Sequence, residues 1–209
     1  MKLVKHIAAA FFVVLASAAH ADTLYANLAT NLYLRTAMYF DVTAINSLTI
    51  DSFNVTTSGL YDIYYKTGSY AGSELDSSSW TLLGSAWTSG DSGTSFIDPS
   101  GTQFLALQTL NIGGLHLSAG QTDGIYVSNT TTYQDYVDYS TSFGNANLWF
   151  TGGKGSYGEF TDSLDTRSFS GAINYTVTPT PEPSSVLALA CGGGLLLRRR
   201  KVAKPAATA

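Results

Sequence analysis

Leu48-Thr49-Ile50-Asp51-Ser52-Phe53-Asn54-Val55 alternates apolar and polar side chains, with a single slip near Phe53. A period of two is the signature of a half-buried strand, and a slip in it predicts a bulge or an edge. Leu60–Lys66 follows after a turn signal and is rich in Tyr. The same grammar extends to Ala37–Val42, Trp80–Thr88, Phe104–Leu110, Gly124–Asn129, Tyr133–Asp138, Asn147–Thr151 and Phe169–Val177. Clusters of Gly, Ser, Asn, Asp and Thr separate these runs, and Thr, Tyr, Val and Ile dominate within them. Eight to ten short strands in residues 22–178, a stretch of 157 residues, predict an all-β fold. The expected architecture is a single antiparallel β-sandwich, jelly-roll-like.

The two chain ends have a different character. Lys2 and Lys5 precede the uncharged apolar run Ile7–Ala18, and Ala19-His20-Ala21 fits the small-x-small rule of signal peptidase. Residues 1–21 are therefore expected to be a signal peptide cut before Asp22. At the other end stand Pro181-Glu182-Pro183, the apolar run Ser184–Leu197, and the cluster Arg198-Arg199-Arg200-Lys201. The run of 14 residues covers about 21 Å as a helix, against a hydrocarbon core of about 30 Å. Gly192-Gly193-Gly194 lowers its helix propensity further. It is a marginal span, and the positive-inside rule places the bases on the cytoplasmic side.

Those three elements, in that order, resemble the PEP-CTERM sorting signal of Gram-negative bacteria. The resemblance covers roughly the last 25 residues. It implies processing by an exosortase, an integral-membrane transpeptidase-like enzyme that acts near the Pro-Glu-Pro. The two prolines favour an extended, accessible segment there. The domain organisation expected is a signal peptide at 1–21, the sandwich at 22–178, a Pro-rich linker at 179–183, a short sorting segment at 184–197 and a basic tail at 198–209. The segments Tyr64–Gly72, Trp80–Gly84 and Leu117–Thr122 are similar to an extracellular β-sandwich module that recurs in such proteins and has no assigned activity.

Charge excludes one class of function. Seven of the eleven basic residues lie in the two terminal segments. Residues 22–178 keep only Arg35, Lys66, Lys154 and Arg167 against 14 acids, a net charge of −10. No basic patch is available to displace phosphate counterions, so nucleic acid is not an expected partner. Cys191 is the sole cysteine and lies in the apolar run, so residues 22–178 have no disulfide and no thiol nucleophile.

Catalytic constellations are sparse. His116 is the one histidine of residues 22–178, and Leu115 and Leu117 on either side place it on the opposite, solvent face. It has no Gly-x-Ser-x-Gly elbow with it. Zinc chemistry needs more His or Cys than the domain has. Thr151-Gly152-Gly153-Lys154-Gly155-Ser156 lacks phosphate-loop spacing and reads as a flexible β-turn. Asp135 with Asp138, Asp162 with Asp165, and Glu159 are nominal carboxylates for glycosidase or calcium chemistry, without the motif of either. No cofactor, no metal and no enzymatic turnover are expected.

Aromatic residues are the more informative class, with 13 Tyr, 10 Phe and 3 Trp in the chain. Trp87 and Trp149 lie in strand patterns and are expected in the core. Tyr70 and Trp80 bracket the polar stretch Ala71–Ser79, where flat faces at a sandwich edge could stack on sugar rings or else pack beneath loops. The function expected is that of a secreted, surface-sorted structural or binding protein of the envelope or extracellular polysaccharide matrix. A carbohydrate-binding module is the first alternative, and a carboxylate-dependent glycosidase the second.

Overall fold

The structure is a computed structural model that describes residues 19–26, 36–89, 96–97, 103–104, 107–134, 136–137, 140–161 and 166–179. Among them run the strands β1 (His20–Ala26), β2 (Ala37–Ala44), β3 (Leu48–Val55), β4 (Gly59–Thr67), β5 (Thr81–Thr88), β6 (Phe96–Ile97), β7 (Gln103–Phe104), β8 (Gln108–Leu117), β9 (Thr122–Asn129), β10 (Tyr136–Val137), β11 (Ser142–Gly144), β12 (Leu148–Ser156), β13 (Thr166–Phe169) and β14 (Gly171–Val177). The sole helical element among the described residues is one 3-10 turn, Ser77–Ser79. No helix there is long and apolar enough to cross a membrane.

The strands pair as one long nested hairpin. β4 pairs β5, β3 pairs β8, β2 pairs β9 and β1 pairs β14, all antiparallel. Successive pairs fall alternately into two sheets, a small one in the order β1-β14-β3-β8 and a large one in the order β10-β13-β12-β2-β9-β4-β5. A long hairpin folded across two layers in this way is a jelly roll. β12, β13 and β10 widen the large sheet beyond β2, and β11 pairs β12. The compact unit they form runs from Ala19 to Thr178.

Alternation explains the core. Leu48, Ile50, Phe53 and Val55 of β3 are buried, and the slip in their spacing is a bulge at Asp51. Both neighbours skip Asp51, which returns Phe53 to the inner face. Phe53 then meets Phe40 of β2 edge-on, ring centroids 6.2 Å apart, and Phe40 packs at 5.1 Å from both Phe150 of β12 and Phe169 of β13. This aromatic group ties the layers together, and each such side chain contributes about 1.5–3 kcal/mol of burial.

Three expectations need correction. The segment Thr151–Ser156 is no turn; it continues β12, whose pairing with β2 shifts between Thr151 and Lys154. Gly153 is required there because a Cβ would lie 2.0 Å from the carbonyl oxygen of Tyr39. Of Tyr133–Asp138 only Tyr136–Val137 forms a strand, with 135 and 138 outside the described residues. The strand expected at Phe104–Leu110 instead begins at Gln108 and runs to Leu117, while Phe104 belongs to the separate two-stranded pair β6–β7.

Candidate binding surface

The outer face of the large sheet carries a second, smaller core. Tyr64 of β4, Tyr126 of β9 and Tyr39 of β2 stand side by side in register. Tyr39 and Tyr126 stack with centroids 4.2 Å apart, and Tyr64 leans on Tyr126 at 5.8 Å. Three large rings on the outside of a sheet demand cover. The chain supplies it by folding residues 68–80 back across the face, with Phe160 closing the far side at 4.7 Å from Tyr126.

Named bonds hold that loop. Asp41 accepts from the Tyr70 backbone N–H at 2.9 Å and from the Ser69 hydroxyl at 2.6 Å. The Tyr39 hydroxyl donates to the Glu74 carbonyl at 2.7 Å, and the Trp80 indole N–H donates to the Ser73 carbonyl at 2.8 Å. Lys154 of β12 pairs with the Glu74 carboxylate at 2.7 Å. The Tyr64 hydroxyl donates to Glu159. Burial pushes the hydroxyls of Tyr39, Tyr64, Tyr70 and Tyr126 above the ordinary tyrosine range, so they stay neutral donors.

Tyr70 and Trp80 do meet the same surface, but as packing. Trp80 is 8% exposed and lies 5.7 Å from Tyr39 and 5.8 Å from Tyr126. Tyr70 is half-buried and seated against Gly124 and Gly153, where added Cβ atoms would meet it at 2.7 and 3.0 Å. Of the two roles the sequence leaves open for this pair, the structure places them in the packing one: their rings face the tyrosine ladder, because three outer-face rings compete for them more strongly than solvent does.

Trp87 and Trp149 are corrected in the opposite direction. Trp87 is 63% exposed on the edge strand β5, and Trp149 is 42% exposed on β12. The parity of β12 settles Trp149: Leu148 and Phe150 are fully buried, so the residue between them faces outward. The indole folds down over Gly144, its cross-strand partner on β11, so closely that a Cβ there would meet its Cε3 atom at 2.5 Å. On its other side Trp149 pairs with Thr43 of β2, and Thr43 with Thr122 of β9. The two threonine hydroxyls are 2.8 Å apart.

His116 is exposed on the outer face of the small sheet between buried Leu115 and Leu117, as the alternation predicts. Glu159 is exposed, and Asp135, Asp138, Asp162 and Asp165 lie outside the described residues. Among the described residues no group of three His, Cys, Asp or Glu is placed to hold a metal. Ala19 and Ala21 are exposed at the start of β1; Pro181, Glu182, Pro183 and Arg198–Lys201 lie outside the described residues.

No protein-family model matches the chain, and no curated protein does. Among the solved structures that align with it are infectious bursal disease virus of the Gx strain and the VP2 subviral particle of infectious bursal disease virus. They cover 90% and 89% of this chain at 13% and 14% identity, with TM-scores of 0.19 and 0.18. The alignments take in 52% and 50% of the viral chains, so the chain spans about half their length. A likeness this shallow carries no functional argument.

Proposed function

We propose that this is a secreted β-sandwich protein, sorted to the cell surface by its C-terminal segment, with a structural or binding role in the envelope or extracellular polysaccharide matrix. Signal peptidase and an exosortase are its processing enzymes, and its role is binding without turnover. One observation carries the reading. The first and last strands of the sandwich are partners, and the pairing persists beyond the expected cleavage point, with Asp22 opposite Tyr175. The chain therefore enters and leaves the domain at one point, flanked in sequence by the apolar run Ile7–Ala18 before it and by the Pro-Glu-Pro, apolar and basic elements after it. The absence of cysteine and the single histidine in residues 22–178 favour binding over catalysis.

The test is a chain in which Glu182 is replaced by Gln and Arg198–Lys201 by Ser, produced in a bacterium that carries an exosortase. It is expected to accumulate unprocessed or in the wrong compartment, read by intact mass and cell fractionation. Normal maturation and location of that chain would end the sorting reading.

A further inference from the structure

The row Gly144–Trp149–Thr43–Thr122 crosses four adjacent strands on the outer face of the large sheet. At the ordinary spacing of neighbouring strands it is about 14 Å long. One end is an indole laid flat on the sheet by a glycine, and the middle is a pair of hydroxyls. At the same pole Ile45 is 47% exposed, and its backbone N–H is bonded to the carbonyl of Asn147. The exposed amide of Asn46 donates to the Asn147 side chain at 3.0 Å. None of these seven residues is charged.

We propose that this surface binds a neutral polysaccharide, with Trp149 as the stacking platform. The proposal rests on the matrix-binding reading above and names its site. The chemistry fits one class of partner. A sugar ring offers an apolar C–H face bordered by hydroxyls. It matches an exposed aromatic plane bordered by hydroxyl and amide groups that both donate and accept. A polyanion is disfavoured by the −10 charge of residues 22–178. A cation finds no carboxylate in the row.

Covering Gly144 is by itself a structural role for a cross-strand aromatic. It needs cover only, and an aliphatic side chain supplies that. What it leaves unaccounted for is a large flat ring, 42% exposed, next to the part-buried hydroxyl pair of Thr43 and Thr122. Trp149→Leu separates the two roles, because it keeps the cover and removes the plane.

The experiment is affinity electrophoresis of the full-length chain in mild non-ionic detergent, through gels containing dextran, galactomannan or xyloglucan, with alginate as the polyanion. Retardation by at least one neutral polymer and none by alginate is expected. Trp149→Leu weakens that retardation at least tenfold with an unchanged melting temperature, and Thr43→Val weakens it about threefold. Trp87→Leu, which removes the exposed indole at the opposite edge, leaves it unchanged. Three results overturn the proposal: no retardation by any neutral polymer, equal retardation of Trp149→Leu and the parent, or an equal loss in Trp87→Leu. Processing of each variant is followed by mass in the same cells. A variant that matures normally but is not retained isolates the site, whereas failed maturation of the Glu182 chain bears on sorting alone.

Discussion

Tyr39 and Tyr126 stack 4.2 Å apart across neighbouring strands on the outside of the large sheet, at an interplanar angle of 15°. Outer-face positions of a sandwich ordinarily meet water. Here both rings are fully buried, so the loop of residues 68–80 is part of the fold and no appendage. The domain has two cores, one between the sheets and one beneath this loop.

Trp80→Ala is therefore expected to destabilise the chain by about 3–5 kcal/mol, the range for truncating a buried large aromatic. It removes contacts to Tyr39, Tyr126 and Phe160 and the bond to the Ser73 carbonyl. Trp87→Ala, on the exposed edge, is expected within about 0.5 kcal/mol of the parent, as for surface changes. Urea denaturation followed by circular dichroism compares the two. Similar losses for both would contradict the second core.

The inner core was readable because it obeys a local rule. In Leu48–Val55 the alternation and its slip are both visible in sequence, and the slip became the Asp51 bulge. Leu115-His116-Leu117 likewise revealed its faces. The outer core was not readable, because its cause is long-range. Tyr70 reaches Gly124 and Gly153 from two other strands, and no local pattern announces such a fold-back. Trp149 misled for a different reason. Its neighbours Leu148 and Phe150 are apolar, so composition suggests core for all three, and only strict parity separates them. The Pro-Glu-Pro, apolar and basic elements of 181–201 are legible in the sequence as a resemblance, and they lie outside the described residues.

Gly153→Ala is expected to cost more than about 3 kcal/mol or to prevent folding, beyond ordinary overpacking. Its Cβ would meet the Tyr39 carbonyl oxygen at 2.0 Å, and neither backbone can retreat without breaking the β2–β12 pairing. Gly113→Ala is the control: its Cβ would meet none of the described residues within 4 Å, and its backbone is in an ordinary region. Soluble yield and thermal melting of the two variants check the contrast. Tolerance at Gly153 would show that the shifted pairing of β12 with β2 can rearrange.

Lys154→Met is expected to destabilise by about 1–3 kcal/mol at neutral pH, between the values for exposed and fully buried pairs. It strands the Glu74 carboxylate, whose side chain is 9% exposed against 37% for Lys154. Burial pushes the Glu74 carboxyl up, but the Lys154 bond and charge, with backbone N–H groups, outweigh it and hold the group below its ordinary value. A depressed folded pKa contributes stability that is present above the unfolded value of 4.5 and lost as pH falls through the folded one. The difference between parent and variant should therefore shrink on acidification below about 4.5. A difference independent of pH would assign the effect to lost packing of the lysine stem.

Asp123 supplies the opposite sign. It is 1% exposed, and its Oδ2 atom has no hydrogen-bond partner among the described residues, while Oδ1 accepts from the Gln121 amide at 3.0 Å. Burial raises its pKa above the ordinary 3.8, against weaker opposing pulls from Gln121, the Gly68 backbone and Lys66. The folded chain therefore binds this proton more tightly than the unfolded chain does. Stability from this group is fully present below 3.8, falls as pH rises from there through the raised folded value, and stays reduced above it. Asp123→Asn mimics the protonated acid and keeps the acceptor for Gln121. It is expected to match the parent at low pH and to melt at a higher temperature near neutrality. Melting curves of both chains between pH 3 and 8, compared as a difference, isolate this group from the other carboxylates. A variant less stable than the parent at neutral pH would mean that the ionised carboxylate has a partner in the folded chain.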